Sequence, residues 1–403
     1  MFSAGAVLKE PLLPDQTAAR RIAEKQVIAA EGDLGYNCHR IPAMVRTPKH
    51  GWLLAAWDGR PFDRSDVPQP NSILLRTSKD QGNTWEAARV LHQGVREPEE
   101  QKVGYSDPSM IVDEQAGKIF IISVLCYDAG FFQSVPGDET TDDPQRQILH
   151  TIVVESEDDG ETWSEPRKIT SAVTKERSWK SRFATSGQGI QLRYGKHRGR
   201  LLTQFVVDVE GSGFHAYSVY SDDHGQTWQA GNLSEVGADE NKVVELSDGR
   251  LLMNSRTARL DAGRLFAYSE DGGETWSNWE VRTDLIDPGN NAGFVRAYPL
   301  APQGSAAAKV LLFSNAKMTR INDPIENTPW STRRHNGHVR VSLDDGQTWD
   351  EGVQFHPGGM AYSTLTVVDE GLWGVFFEAD EYQSMQFLLI DEGWLGLERP
   401  EVK

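Results

Sequence analysis

The chain has 403 residues, a formal charge of −18, 38 % apolar residues and 9 % aromatic residues. The negative balance argues against nucleic acid or an anionic membrane surface as a partner, and no apolar run approaches the ~20 residues that span a bilayer. Two cysteines, Cys38 and Cys126, are too few for a disulfide scaffold and favour a reducing compartment.

The first 30 residues hold no apolar core of the secretory type. Gln16 to Val27 has the composition of a short helix, and residues 1–34 read as an N-terminal extension. The protein is therefore expected in the cytoplasm, or outside the cell if a signal was removed before this numbering begins.

From residue 35 onward the chain repeats. The frame Ser-x-Asp-x-Gly-x-Thr-Trp occurs five times, at Ser78 to Trp85, Ser156 to Trp163, Ser221 to Trp228, Ser269 to Trp276 and Ser342 to Trp349. Each copy follows a short strand-like run such as Thr151-Ile-Val-Val-Glu or His338-Val-Arg-Val. Its Asp can accept turn amides, its Gly can take positive φ, and its Trp returns into apolar packing. A calcium loop would need a different order of acidic ligands.

A second motif is a small residue followed by an apolar strand. It runs through Gly51 to Trp57, Gly117 to Ile122, Gly199 to Phe205, Gly249 to Asn254, Ala308 to Phe313 and Gly371 to Phe377. An earlier strand precedes each across a short turn: Ile41 to Thr47, Ser109 to Asp113, Gly189 to Arg193, Lys242 to Leu246, Phe294 to Leu300 and Ser363 to Val368. With the octet-bearing strand third and a further strand after the Trp, the unit is four antiparallel strands, repeated six times. Sheets of this size must pack face to face, and radial packing gives a propeller; a β-solenoid would need a shorter and stricter period, and two sandwiches would not share one repeat. The fold class is all-β, a six-bladed β-propeller forming a single domain over 35–403.

Strand direction then sorts the polar residues. In a four-strand meander the octets, at the third-to-fourth turn, share one face. The start of strand one, the end of strand two and the loop into strand three share the other. On that second face lie Arg40, Asp107, Glu240 and Tyr362 before inner strands, Arg256 ending a second strand, and Asp66 and Arg334 in long connections. Glu245 lies further along its strand, toward the octets, and is set aside.

These residues resemble those of the bacterial exo-sialidases (neuraminidases) of the six-bladed Asp-box type. The octets match the Asp boxes, His39-Arg-Ile-Pro42 the Arg-Ile-Pro motif, and Ala361-Tyr-Ser-Thr364 the nucleophile segment. Asp66-Val-Pro-Gln-Pro-Asn-Ser72, Asp239-Glu-Asn-Lys242 and Asn254-Ser-Arg256 fit as well, so the likeness covers about residues 35 to 396. It implies that Arg40, Arg256 and Arg334 hold a sialic acid carboxylate, with Tyr362 as nucleophile, Glu240 as its base and Asp66 as general acid and base. Asp107 would line the pocket floor. Gly130-Phe-Phe132 fits either an apolar wall for the N-acetyl group, with Phe131 in it, or ordinary blade packing. The implied substrates are sialylated oligosaccharides, glycoproteins or glycolipids. Nothing in the sequence calls for a metal or another cofactor.

The implied chemistry is physically coherent. Sialic acid carries a carboxylate on its anomeric carbon, and a carboxylate nucleophile at ~4 Å would be repelled by roughly 4 kcal/mol at an effective dielectric of about 20. A tyrosine hydroxyl avoids that repulsion but needs a base, because its pKa is near ~10; sialidases are the known tyrosine exception among glycosidases. Asp66, next to a hydrophobic loop, is expected to keep a proton at moderate pH. Rival readings are a trans-sialidase, a hydrolase of a related 2-keto sugar acid, and a non-catalytic glycan-binding propeller. The last predicts loss of Asp66, Glu240 or Tyr362, and all three are present.

Overall fold

A computed structural model describes residues 24–95, 101–257, 263–317 and 334–400. Four blades are separate antiparallel sheets, and their second strands run from Leu53–Arg60, Lys118–Cys126, Leu201–Val209 and Leu251–Thr257. A seven-stranded sheet supplies the rest. It divides within the long strand Val353–Asp369. The first part of that strand pairs with His335–Ser342 as the outer strand of blade five, and Met360 onward pairs with Leu372–Ala379 as the inner strand of blade six. Neighbouring blades contact one another in cyclic order, the third and fourth through Leu201–Val209 and Ala238–Glu245, and the ring closes between Val353–Asp369 and Cys38–Arg46. This is the β-propeller predicted from the repeat.

The apolar runs follow from that packing. Every residue of Leu53–Arg60 is buried, because a blade's middle strands have a neighbouring blade on each face. Met44, Trp57 and Leu74 of the first blade pack on Leu372, Phe376 and Phe387 of the sixth. On the axis, Val45, Val112, Ile190, Val244, Val295 and Val367 come one from each blade and line a cavity of about 580 Å³ that opens at the octet end.

Two boundaries differ from the sequence reading. Gln26–Ala30 is a strand that pairs with Ser384–Phe387 and completes the sixth blade, so it belongs to the propeller and not to an extension. Of the predicted helix Gln16 to Val27, residues 16–23 lie outside the described residues, while Gln26 and Val27 are strand. Ala and Gln favour helix, and pairing at the open edge of the last blade overrides that preference. In the third blade the inner strand is Trp179–Ala184, earlier than the predicted Gly189 to Arg193. A break follows it, and only Ile190–Gln191 rejoins the same partner strand.

The five octets share one geometry. In the third copy Asp223 accepts the Thr227 amide at 2.9 Å, the Thr227 hydroxyl at 2.6 Å and the Ser221 hydroxyl at 2.8 Å. Ser221 in turn accepts the Gly225 amide, and Gly225 takes φ 79°. The residue after the Asp also has positive φ and reaches the preceding blade. Asp159 accepts the Lys49 and His50 amides, His224 meets Asp113, and Asp345 accepts the Ser247 amide. The octets are therefore staples between blades as well as turns. Asp223→Ala removes three hydrogen bonds from one staple and should lower stability by about 1–3 kcal/mol. Urea denaturation would show this as an earlier midpoint, and an unchanged midpoint would refute the staple.

Candidate active site

Four inner strands slip register near the end away from the octets. The slips lie between Arg40 and Ala43, Ser106 and Ser109, Ala238 and Asn241, and Met360 and Ser363. A bulge suspends the alternation of faces and re-aims a side chain. Arg40, Asp107, Glu240 and Tyr362 are all placed by these bulges. They sit inside strands, not before them as expected, because the apolar alternation that marks a strand fails where the bulge interrupts it.

Tyr362 is the centre. It is buried, and its hydroxyl donates to Glu240 Oε2 at 2.6 Å. Arg256 Nη1 lies 2.9 Å from that hydroxyl and 2.6 Å from the same Glu240 oxygen, and Arg256 Nε pairs with Asp239 at 3.1 Å. The Arg40 and Arg334 guanidiniums lie 5.3 Å and 5.2 Å from the centroid of the tyrosine ring. Arg334 also donates to the Tyr382 hydroxyl and to the Gly289 carbonyl. All three predicted arginines thus surround the predicted nucleophile.

Burial pushes the Tyr362 phenol well above its ordinary range, and the Glu240 charge adds to that against the pull of the arginines. Burial likewise raises Glu240, although Arg256 opposes it. The proton therefore stays on the tyrosine in the free protein, with Glu240 aligned to take it.

Asp66 corrects one expectation. Its side chain is 68 % exposed, yet Arg60 at 2.8 Å and Arg40 at 3.4 Å both reach Oδ1. Partial burial raises its pKa, but the Arg60 and Arg40 charges win and hold it at about 2. Asp66 is ionised in the free protein, not protonated at moderate pH. Asp107 shifts the other way. Burial raises it, and the neighbouring Asp58, Asp66 and Glu240 charges raise it further.

The sequence reading missed the residues that hold these groups. Glu378 accepts from Arg40 Nε at 3.1 Å, from the Ile41 amide at 2.8 Å and from the Tyr362 amide at 3.1 Å. Asp58 accepts from Arg60, from the Ser106 hydroxyl and from the Asp107 amide. Both carboxylates follow apolar runs, Ala55-Ala-Trp57 and Val375-Phe-Phe377, at the mouth end of a second strand. A charge in that position was the available signal. Phe131 packs on Phe183 and Phe214 with ring centroids 5.0 Å and 5.5 Å apart, beside Val67 of the loop that carries Asp66. Glu245 lies at the octet end, where it accepts the Arg193 and Tyr194 amides, as expected for a residue outside the site.

The arrangement can hold an anion against three guanidiniums, present a tyrosine oxygen coupled to a carboxylate base, and offer a second carboxylate at the rim.

A family model for the BNR repeat-like domain matches residues 51–375. A sialidase of Micromonospora viridifaciens is 46 % identical over 372 residues, which is 92 % of this chain and 54 % of that protein. A sialidase of Bacteroides fragilis is 29 % identical over 361 residues, covering 86 % of this chain and 61 % of that one. The chain thus spans between half and two thirds of the length of these relatives. The solved structure of the Hadza microbial sialidase Hz136 superposes with a TM-score of 0.79 at 28 % identity, covering 92 % of this chain and 69 % of that one.

The pairing of Asp66 has a pH signature. A carboxylate whose folded pKa is depressed contributes stability above its unfolded pKa, about 3.9, and loses it as pH falls through the folded value. For Asp66 that window runs down to about 2. Urea midpoints taken from about pH 5 to pH 3 should fall less steeply for Asp66→Asn than for wild type. Parallel curves would mean that the Asp66 ion pairs add no stability.

Proposed function

The chain belongs to the BNR repeat-like family, and from that premise we propose that it is a retaining exo-α-sialidase releasing terminal sialic acid from glycoconjugates. The observation that carries this reading is the Tyr362 hydroxyl, bonded to Glu240 at 2.6 Å inside the ring of Arg40, Arg256 and Arg334. The sialidase names of the relatives support it.

The substrate carboxylate sits among the three guanidiniums, where charge-assisted hydrogen bonds fix the ring over Tyr362. The Tyr362 oxygen attacks the anomeric carbon while its proton passes to Glu240 Oε2. The glycosidic C–O bond breaks, and Asp66 protonates the leaving oxygen. Water, deprotonated by Asp66, then attacks the same carbon, the bond from that carbon to the Tyr362 oxygen breaks, and Glu240 returns the proton to that oxygen. Two displacements retain configuration.

Asp66 must acquire a proton for the first step, although Arg60 and Arg40 hold it ionised in the free protein. Binding supplies the reason. The incoming carboxylate takes up Arg40 and places a like charge nearby, which raises a carboxyl pKa by on the order of 1–3 units. The substrate thereby arms its own acid.

Wild type should release the fluorophore from an aryl α-sialoside, and NMR of the first product should show the α-anomer. Tyr362→Phe should lose at least about a hundredfold in kcat/KM. Asp66→Asn should lose about 10²–10⁴-fold on a sialyl-oligosaccharide, and much less on the aryl sialoside, whose leaving group needs little protonation. No turnover on any α-sialoside would overturn the assignment, and a β-anomer as first product would overturn the tyrosyl intermediate.

A further inference from the structure

The turn between Leu372–Ala379 and Ser384–Asp391 in the sixth blade carries Tyr382, which the reaction above does not use. Its hydroxyl accepts from Arg334 Nη1 at 2.9 Å, and its ring centroid lies 4.7 Å from the Arg40 guanidinium carbon. One side chain thus touches two of the three guanidiniums proposed to receive the substrate carboxylate. Half-buried, it also packs on Ile41, Ala361 and Tyr362. Tyr362 reaches the same two guanidiniums with its ring, at 5.3 Å and 5.2 Å. In the proposed reaction Tyr362 bonds to the substrate, whereas Tyr382 takes no part in the chemistry and can hold the pair throughout. Glu378, at the start of the same turn, holds Arg40 Nε at 3.1 Å, so one hairpin grips that guanidinium by its edge and by its face.

The turn is closed in an unfavourable conformation. Asp380, Glu381 and Tyr382 have φ 52°, 57° and 74°, a left-handed run of three residues without a glycine, which L-residues avoid. Such backbone persists only where its surroundings over-determine it. Asp380 Oδ2 accepts from Gln386 Nε2 at 2.8 Å and from the Ser384 hydroxyl at 3.4 Å. The Asp380 carbonyl accepts the Gln383 amide at 3.2 Å, and the Gln383 carbonyl accepts the Glu31 amide at 3.0 Å. On the neighbouring strand a Cβ at Gly359 would come 3.0 Å from Glu381 Cγ and 3.1 Å from its amide nitrogen, so that strand is packed closely on the turn. What the strained turn achieves is the placement of one tyrosine against Arg40 and Arg334.

We propose that Tyr382 is a positioning residue for recognition of the substrate carboxylate: it fixes Arg334 through its hydroxyl and Arg40 through its ring, and so sets the spacing of the two guanidiniums. The proposal rests on the function assigned above. A neutral hydroxyl and an aromatic face order two cations without cancelling their charge. A carboxylate in the same place would order them too, but it would repel the one on the substrate.

The test measures dissociation constants of sialic acid and of its methyl ester, which lacks the negative charge, by NMR titration of wild type, Tyr382→Phe and Tyr382→Leu, with melting curves to confirm folding. Wild type should prefer the acid. Tyr382→Phe keeps the ring and loses the hydroxyl, and should bind the acid about tenfold more weakly while the ester changes little. Tyr382→Leu loses the ring as well and should weaken the acid by about a further threefold. A merely structural role would weaken both ligands alike, and an unchanged ratio in folded Tyr382→Phe overturns the proposal. Should that variant not fold, Asp380→Gly, which relaxes the turn and removes its bond to Gln386, should lower the ratio in the same direction, and an unchanged ratio there overturns it. Wild type that neither turns over a sialoside nor binds sialic acid removes the assigned function instead. Guanidinium ¹⁵N NMR of the full chain still reads the contact in that case, and Arg334 signals unchanged in Tyr382→Phe would overturn the proposal independently.

Discussion

Two residues with left-handed backbone hold the mouth of this propeller open. Ile41 has φ 67° and Asp107 has φ 57°. Neither is glycine, and a β-branched residue in that region is strained. Each precedes a proline and sits in the register slip of an inner strand. The strain is held by the same device in both blades. A carboxylate at the end of the previous blade's second strand accepts the strained amide: Glu378 takes that of Ile41, and Asp58 takes that of Asp107. Neighbouring blades thus lock one another's bulges, and the bulges aim Arg40 and Asp107 inward. Glu378 also grips the Tyr362 amide, so one buried carboxylate sets Arg40 and Tyr362 relative to each other. Positioning of that kind is what converts binding into rate.

The electrostatics follow from this framework. A buried guanidinium costs several kcal/mol unless it is paired and hydrogen-bonded. The mouth meets that demand with carboxylates that are structural in one direction and chemical in the other. Asp58 and Asp66 share Arg60. Glu240 pairs with Arg256 and also accepts from the Tyr362 hydroxyl. Crowding acidic groups has a second effect. Asp66, facing two arginines, is held down at about 2, while Asp107, facing other carboxylates, is raised. Opposite shifts in adjacent carboxyl groups separate their roles without any change of residue type.

The fold and the polar residues of the mouth were legible in different ways. The octets gave away the strand count because their geometry is local: Ser, Asp, Gly and Thr bond within eight residues, and only that combination closes the turn. Arg40, Glu240, Arg256, Arg334 and Tyr362 could be collected because strand direction puts them at one end. What could not be read was non-local. Glu378 and Asp58 serve the blade after their own, and Gln26–Ala30 is a strand only because the last blade has an edge for it. The third inner strand was misplaced for a related reason. Gly187–Gln188 leaves its own sheet to pair in parallel with Ser109 and Met110 of the second blade, so the strand signal there marks the wrong partner. The state of Asp66 was misread because it depends on Arg60, which no motif draws attention to.

The two ends of the axis show why size alone is a poor guide to chemistry. The large cavity is at the octet end, walled by one aliphatic side chain from each blade. It exists because six inner strands splay around an axis that their branched side chains do not fill. At that end Glu245 is spent on two backbone amides and on Arg296 at 3.5 Å, and the Asp side chains of the octets are spent on their own turns. At the other end the bulges bring charged side chains inward. A chain of net charge −18 can receive an anion there because its acidic excess does not face the mouth unpaired. Asp66, Glu378 and Glu240 at the mouth are matched against arginines and do not form a bare negative surface.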